Sequence, residues 1–405
     1  MQWINRPQEL AFLQRHRDHH IIKVVSGVRR CGKSTLFHLF RDRLLADGVP
    51  ASRILTINLE DLAFESLQEY HALYRYVLEH LAPGGRNYIF LDEIQQVPSF
   101  EKAVDSLFLR DDVDLYLTGS NAYFLSGDLA TVLAGRYVEL RMLPLSFCEF
   151  CEGLPAQPPL TEAQRYAAYV QGSSFPYLLT VPHDAQGVHE YLEGLYHTIL
   201  IKDTMTRLGT ADTSLLEKIL RCLAANIGSL ISPTKIANTL TSQGRRTDNK
   251  TVERYLRAME DSLLIYRADR YDVRGKSIFK TNAKYYLVDP AFRALLVADT
   301  SRDTGHVLEN IVYLELLHRG ARVYVGQLAK GEIDFIAETS EGRFYYQVAE
   351  TTLAPDVLDR ELAPLRAVPD QYPKTLLTLD EITPEADYDG IRKRNVLRWM
   401  REEMK

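Results

Sequence analysis

The sequence predicts an α/β protein. A phosphate-binding parallel-sheet core with a helical lid comes first, then a helical module with a hairpin, then a second α/β domain. Three observations predict it. A glycine-rich loop, Gly27-Val28-Arg29-Arg30-Cys31-Gly32-Lys33-Ser34-Thr35, stands between an apolar strand and an apolar-periodic helix. A later apolar run, Tyr88-Ile89-Phe90-Leu91, leads straight into Asp92-Glu93. Residues 214–285 hold fourteen basic and seven acidic side chains, +7 in a chain of net charge −6, which leaves −13 for the remainder.

The first strand is read at residues 21–26. The loop after it has the form G-x-x-x-x-G-K-S, and the strand before and helix after it are the setting of a P-loop. Its glycines let the backbone wrap around phosphates, and the amides at the helix N-terminus face anionic oxygens. Residues 27–35 are therefore the expected nucleotide cradle. Lys33 would reach the β and γ phosphates, and Ser34 would ligate Mg²⁺. A second strand follows at residues 54–59, and the third ends in the paired acids. Asp92 would hold the Mg²⁺ shell, and Glu93 would orient and polarise the attacking water. A fourth strand at 114–118 ends in Gly119-Ser120-Asn121. Asn121, or else Ser120, is the expected polar sensor between the strand before the loop and the strand that ends in the paired acids; Ser120 is equally suited to cap a helix. A helix at 122–133 and Ala134-Gly135 bring Arg136 just ahead of a fifth strand at 137–143. An arginine there can reach a neighbouring subunit's γ-phosphate and stabilise transition-state charge.

These motifs together resemble AAA-superfamily P-loop ATPases, in particular a large prokaryotic group. The group's pattern is met here by GVRRCGKS at 27–34, LDEIQ at 91–95, TGSN at 118–121, LAGR at 133–136 and PLSFCEF at 144–150. A later GSSFPYL at 172–178 is similar to the group's "GGFP" segment, with Ser173 and Ser174 in place of its glycines. The resemblance implies an AAA-type ATPase core, a small helical lid and a C-terminal domain of unassigned function, and no particular substrate. The expected domains are residues 1–144 (core), 145–212 (lid), 213–290 and 291–405.

Residues 213–290 read as three helices and a basic hairpin bending at Arg274-Gly275-Lys276, the order of a winged helix-turn-helix. Lys250, Arg254 and Arg257 fall on the outward face of the third helix and, with Arg274 and Lys276, are the expected DNA contacts; a protein-docking face is the alternative. Asn249 is the only amide near the helix start, so phosphate contact rather than base readout is expected. In the last domain, Glu309 on a helix, Asp334 on a strand and a further strand resemble the restriction-endonuclease-like, PD-(D/E)xK fold. The positions of the second carboxylate and the lysine read Gln347 and Ala349, while Glu350 and Lys330 are misplaced to replace them. Nuclease activity is therefore expected to be lost.

With 46% hydrophobic and 25% charged residues over 405 positions, the composition is that of an ordinary globular protein and excludes a disordered or fibrous one. Four cysteines imply no disulfide scaffold. The opening residues are polar, and no uncharged stretch is apolar enough to span a bilayer, so a cytoplasmic protein is expected. The functional expectation is a Mg²⁺-dependent ATP-binding and hydrolysing machine or switch, with weak DNA binding and nucleotide-dependent self-association. The alternative is a slow-turnover, nucleotide-gated regulator that docks protein partners.

Overall fold

Apolar runs without alternation are what strands need when both faces of a sheet are covered. β1 (Ile22–Gly27), β2 (Ile54–Asn58), β3 (Asn87–Asp92), β4 (Val113–Gly119) and β5 (Tyr137–Met142) form such a sheet in the computed structural model. All pairings are parallel, in the order β2-β3-β4-β1-β5. Every residue of β1, β3 and β4 is buried. The described residues are 3–119, 133, 135–155, 159–180, 185–209, 212–297 and 304–402. The chain divides into two compact units, Met1–Pro144 with Asp261–Leu263, and Leu145–Glu260 with Leu264–Lys405.

In the first unit the strand order places β4 between the two strands that carry the loop and the paired acids. Ser26 pairs with Gly119 and Leu91 with Leu117, so the C-terminal ends of all three strands lie side by side. The helix Lys33–Ala46 is seated on the sheet by aromatic rings. Phe37 meets Phe90 at 5.1 Å between centroids, Phe90 stacks on Tyr116 at 4.7 Å, and Phe40 lies 5.4 Å from Tyr116. Phe90 is wholly buried among them. Truncating such a ring leaves a cavity that neighbouring rings cannot fill. Phe90→Ala is therefore expected to destabilise this unit by about 3–5 kcal/mol, read as a lowered denaturation midpoint. A change under about 1 kcal/mol would show that the ring cluster does not seat the helix. At the opposite end of the sheet Lys23 pairs with Asp114, both fully buried, and Asp114 also accepts the Tyr116 hydroxyl at 2.8 Å.

The second unit opens with the helix Phe147–Gly153. Its start follows from a reciprocal cap: the Ser146 hydroxyl accepts from Glu149 N at 3.3 Å, and the Glu149 carboxylate accepts from Ser146 N at 2.9 Å. The same device, with Thr161 and Gln164, starts the helix Glu162–Gly172. The serines of the 172–178 segment have a definite role. Ser173 sits at φ +76, a conformation that glycine adopts freely. Its hydroxyl, together with the hydroxyl and amide of Ser174, donates to the buried Asp289 carboxylate at 2.8, 2.5 and 2.7 Å. The hydroxyls supply hydrogen bonds that glycines could not.

Helices Thr213–Ala225, Pro233–Ser242 and Asn249–Asp261 follow, then the antiparallel pair β6 (Ile265–Asp272) and β7 (Ser277–Leu287). Ser232 and Asp248 cap the second and third helices as their sequence positions predict. Ile231, ahead of the second helix, bridges Ala283 of β7. From the sequence, the strands of this hairpin are expected only at 264–268 and 285–288; both are longer. β8 (Arg322–Gln327), β9 (Glu332–Thr339), β10 (Gly342–Ala349), β11 (Lys374–Thr378), β12 (Ala386–Tyr388) and β13 (Ile391–Asn395) complete one eight-stranded sheet, ordered β12-β13-β11-β10-β9-β8-β6-β7. The boundary expected at residue 290 thus does not separate two sheets. Arg270–Val325, Tyr271–Gly326 and Asp272–Gln327 pair β6 in parallel with β8 across it. Pairing between strands distant in sequence leaves no local periodicity, so a pattern reading could not join them.

Candidate functional site

The loop after β1 is shaped by close approach and by left-handed residues. A Cβ on Gly27 would stand 2.5 Å from the Met142 carbonyl oxygen of β5 and 2.8 Å from Cys31 Sγ, so only glycine fits there. Arg30 at φ +66 and Gly32 at φ +105 turn the chain back before the helix begins at Lys33. Alternation of this kind directs successive amides into one concavity, the anion-binding form of backbone. Val28 and Cys31 are fully buried beneath it. Burial pushes the Cys31 thiol up, so it packs the loop rather than serving as a nucleophile. Arg29 is turned to Glu60 at 3.2 Å, and Ser34 and Thr35 are partly exposed in the first helical turn.

Lys33 is buried and folded into its own loop. Its Nζ donates to the carbonyls of Gly27 at 3.1 Å and Val28 at 3.3 Å, and lies 3.7 Å from Glu93 Oε1. Asp92, buried at the end of β3, is hydrogen-bonded to the hydroxyls of Ser34 and Thr118. Burial pushes its carboxyl up, and those two hydroxyls oppose the shift. Thr118 also accepts from Glu93 N at 3.0 Å. Glu93 itself is held at φ +53, and its Oε2 accepts from Gln95 Nε2 at 2.5 Å. A non-glycine residue in this region costs about 1–3 kcal/mol, and such strain gathers at working sites. A hydroxyl beside a carboxylate is the oxygen-donor pair that Mg²⁺ takes while keeping several waters. The residues present therefore fit a Mg²⁺-nucleotide: Ser34 and Asp92 for the ion, the 27–35 backbone and Lys33 for the phosphates.

Sequence reading missed Thr118 and Gln95 as members of this site, although both lie within its quoted motifs. Only the register of β4 against β3 shows that Thr118 spans both acids. Ser120 and Asn121, and most of the helix expected at 122–133, lie outside the described residues. Arg136 stands at the N-terminal end of β5, where its carbonyl accepts from Ile22 N at 2.8 Å. That is the far end of the sheet from the loop, about 15–20 Å away at 3.3 Å per strand residue. The guanidinium is bound to Asp105 and lies over the Phe108 ring at 5.6 Å. Sequence reasoning had no signal for Asp105, which reaches it from the helix Phe100–Phe108.

Residues 19–151 match the AAA domain family, and residues 163–303 match a domain of unknown function (DUF8612). An uncharacterized protein of Haemophilus influenzae is 37% identical over 404 residues, covering 98% of each chain. The chain belongs to that protein's family of AAA-domain proteins. An uncharacterized protein of Methanocaldococcus jannaschii, MJ1544, is 28% identical over 351 residues, 82% of this chain and 74% of that one. The Walker-type ATPase PABY2304 of Pyrococcus abyssi shares the fold at a TM-score of 0.52 and 16% identity, over 73% of this chain and 96% of that one. The AAA-domain assignment covers the loop and both acids, since Gly27 to Glu93 fall within the matched segment.

Elsewhere in this AAA protein, Lys250, Arg254 and Arg257 are exposed on the helix Asn249–Asp261, whose Val252, Leu256 and Met259 are buried. Arg257 pairs with Glu253 at 3.1 Å, and Arg254 lies 5.8 Å from the Tyr255 ring centre. Arg274 and Lys276 are exposed at the bend between β6 and β7. Of the nuclease-like positions, Gln347 accepts weakly from Asp334 N at 3.4 Å and donates to Glu361 at 3.1 Å, while Glu350 accepts from the Thr304 hydroxyl. Lys330 is exposed. No helix among the described residues is long and apolar enough to cross a membrane.

Proposed function

We propose that this AAA protein binds and hydrolyses ATP with Mg²⁺, as a conformational machine or switch. The observation that carries the reading is the set Lys33, Ser34, Asp92, Glu93 and Thr118, gathered at the C-terminal ends of neighbouring parallel strands. Lys33 and the loop amides hold the phosphates, and Glu93 orients the attacking water and accepts its proton. Mg²⁺ would neutralise charge on the β and γ phosphate oxygens. The second reading, a slow-turnover regulator, is favoured by one feature: Gln95 and Lys33 hold Glu93, and Asp105 holds Arg136, in a resting arrangement. Turnover of Mg²⁺-ATP with duplex DNA, RNA or neither, alongside mass in each nucleotide state, separates the two. A machine turns over faster with a nucleic acid or on self-association. A regulator stays slow under every addition. Absence of ATP binding removes both.

The helix Asn249–Asp261 and the β6–β7 bend serve in this reading as a winged helix that contacts DNA phosphates. Its +7 stretch lies in a chain otherwise at −13, so the charge is concentrated. Binding is expected to be non-specific, with dissociation constants of about 10⁻⁴ to 10⁻⁶ M, and each phosphate contact adds about −0.9 to the slope of log affinity against log salt. Charge reversal at Lys250, Arg254 and Arg274 together should remove binding of labelled duplex and leave basal turnover unchanged. Equal binding by the triple variant, or none by wild type, would make this a protein-docking face. No DNA cleavage is expected with Mg²⁺ or Mn²⁺.

A further inference from the structure

The second unit holds a buried charge cluster that the nucleotide reading does not use. Lys284, on β7, is 2% exposed. Its Nζ lies 2.9 Å from Glu309 Oε1, 2.9 Å from Glu332 Oε1 and 3.6 Å from Asp334 Oδ1. The carboxylates are tied in turn. Glu309 Oε1 accepts the Tyr286 hydroxyl at 2.7 Å, its Oε2 lies 3.8 Å from His306 Nδ1, and Asp334 Oδ2 accepts from Val348 N at 2.9 Å. Gly228, at φ +73, closes over Glu309, where a Cβ would come within 2.7 Å of Oε2.

Glu309 and Asp334 are what remains of the expected nuclease-like metal cage, an incomplete one, since the second-carboxylate and lysine positions read Gln347 and Ala349. The structure supplies a lysine from β7, a strand outside the motif, and places it among the carboxylates themselves. A divalent ion would need those oxygens at about 2.0–2.6 Å around the space that the ammonium occupies. Among the described residues no group of three or more His, Cys, Asp or Glu is arranged to hold a metal. The residues therefore do not fit a bound metal while Lys284 is in place. Burial alone would lower the Lys284 amine, but the surrounding carboxylates outweigh it and raise it.

We propose that the Lys284 ammonium stands in for the divalent ion of a nuclease-like centre, making the pocket a metal-free ionic clamp. The clamp fastens β7 to the helix Thr304–His318 and to β9. It explains how the buried Glu309 and Asp334 carboxylates, beside the partly exposed Glu332, coexist without a metal: unpaired, each buried carboxylate would cost several kcal/mol of desolvation.

The test uses the full-length, nucleotide-free protein and Mn²⁺ followed by electron paramagnetic resonance, with thermal unfolding in parallel. Wild type should take up no Mn²⁺ that Asp334→Asn abolishes. Lys284→Met, which keeps the stem and removes the charge, should gain a Mn²⁺ site, lost again in Lys284→Met/Asp334→Asn, and its unfolding temperature should rise with Mn²⁺. Lys284→Arg keeps the charge and should bind none. Wild-type Mn²⁺ binding that Asp334→Asn or Glu309→Gln removes would overturn the proposal, because the pocket would then hold metal beside the lysine. A folded Lys284→Met protein that binds no Mn²⁺ would overturn it too. If Lys284→Met does not fold without metal, its refolding by Mn²⁺ but not by K⁺ supports the clamp, and failure with both overturns it.

Discussion

Lys33→Ala protein is expected to lose nucleotide binding, and Glu93→Gln protein to keep it while losing hydrolysis. The two side chains lie 3.7 Å apart, so the contrast between the variants separates cradle from chemistry. Lys33 Nζ now rests on the Gly27 and Val28 carbonyls, and an arriving phosphate offers it stronger, charge-assisted partners. Two such hydrogen bonds are worth about 3–6 kcal/mol, so affinity should fall by about 10²-fold or more. Glu93→Gln keeps the shape and the Gln95 contact but cannot accept a proton. The loss expected from removing a positioned general base is about 10²- to 10⁴-fold in turnover. Isothermal titration of ATP with steady-state phosphate release measures both. Binding and turnover equal to wild type in both variants would remove the catalytic assignment.

Arg136→Ala is expected to leave ATP affinity nearly unchanged and to slow hydrolysis by about 10³-fold or more, provided that subunits share sites. The geometry makes action on its own phosphate impossible, since Arg136 stands at the far end of the sheet from the loop that follows β1. A role at the γ-phosphate must therefore be in trans. The Asp105 partner does not prevent it. Both side chains are about a third or more exposed, and an ion pair of that kind is worth about 1 kcal/mol or less. Release into a neighbour's site thus costs little. Mixing Arg136→Ala with Glu93→Gln protein should restore partial activity, because each mixed interface can pair an intact arginine with an intact Glu93. A fully active monomer carrying Arg136→Ala would end the idea.

Much of the candidate site was legible because its signal is contiguous. The loop at 27–35 and the acids at 92–93 are each a single backbone run whose residue types permit one local conformation. Gly27 is needed for the approach of β5 and Gly32 for its positive φ, and both needs are met by identity alone. The outward basic residues of the third helix were legible for the same reason, since spacing along one element decides them. The serines at 173–174 were visible as a departure from pattern, but their reason, Asp289, lies more than a hundred residues away.

The sequence by itself determined the local form of the loop at 27–35 and the place of Lys33 and the paired acids at helix start and strand end. These follow from local sterics and electrostatics, which act over a few bonds and are written in neighbouring residues. Only the tertiary structure decided what those groups hold meanwhile. Thr118 bridges Asp92 and Glu93 because β4 pairs with β3 in one register. Asp105 claims Arg136 from the helix Phe100–Phe108. Lys284 fills the carboxylate pocket because β7 joins, through β6, the sheet that carries Asp334. Such contacts depend on strand order and register, which are settled by the burial of whole faces rather than by any one residue, and so leave no mark at the positions they join.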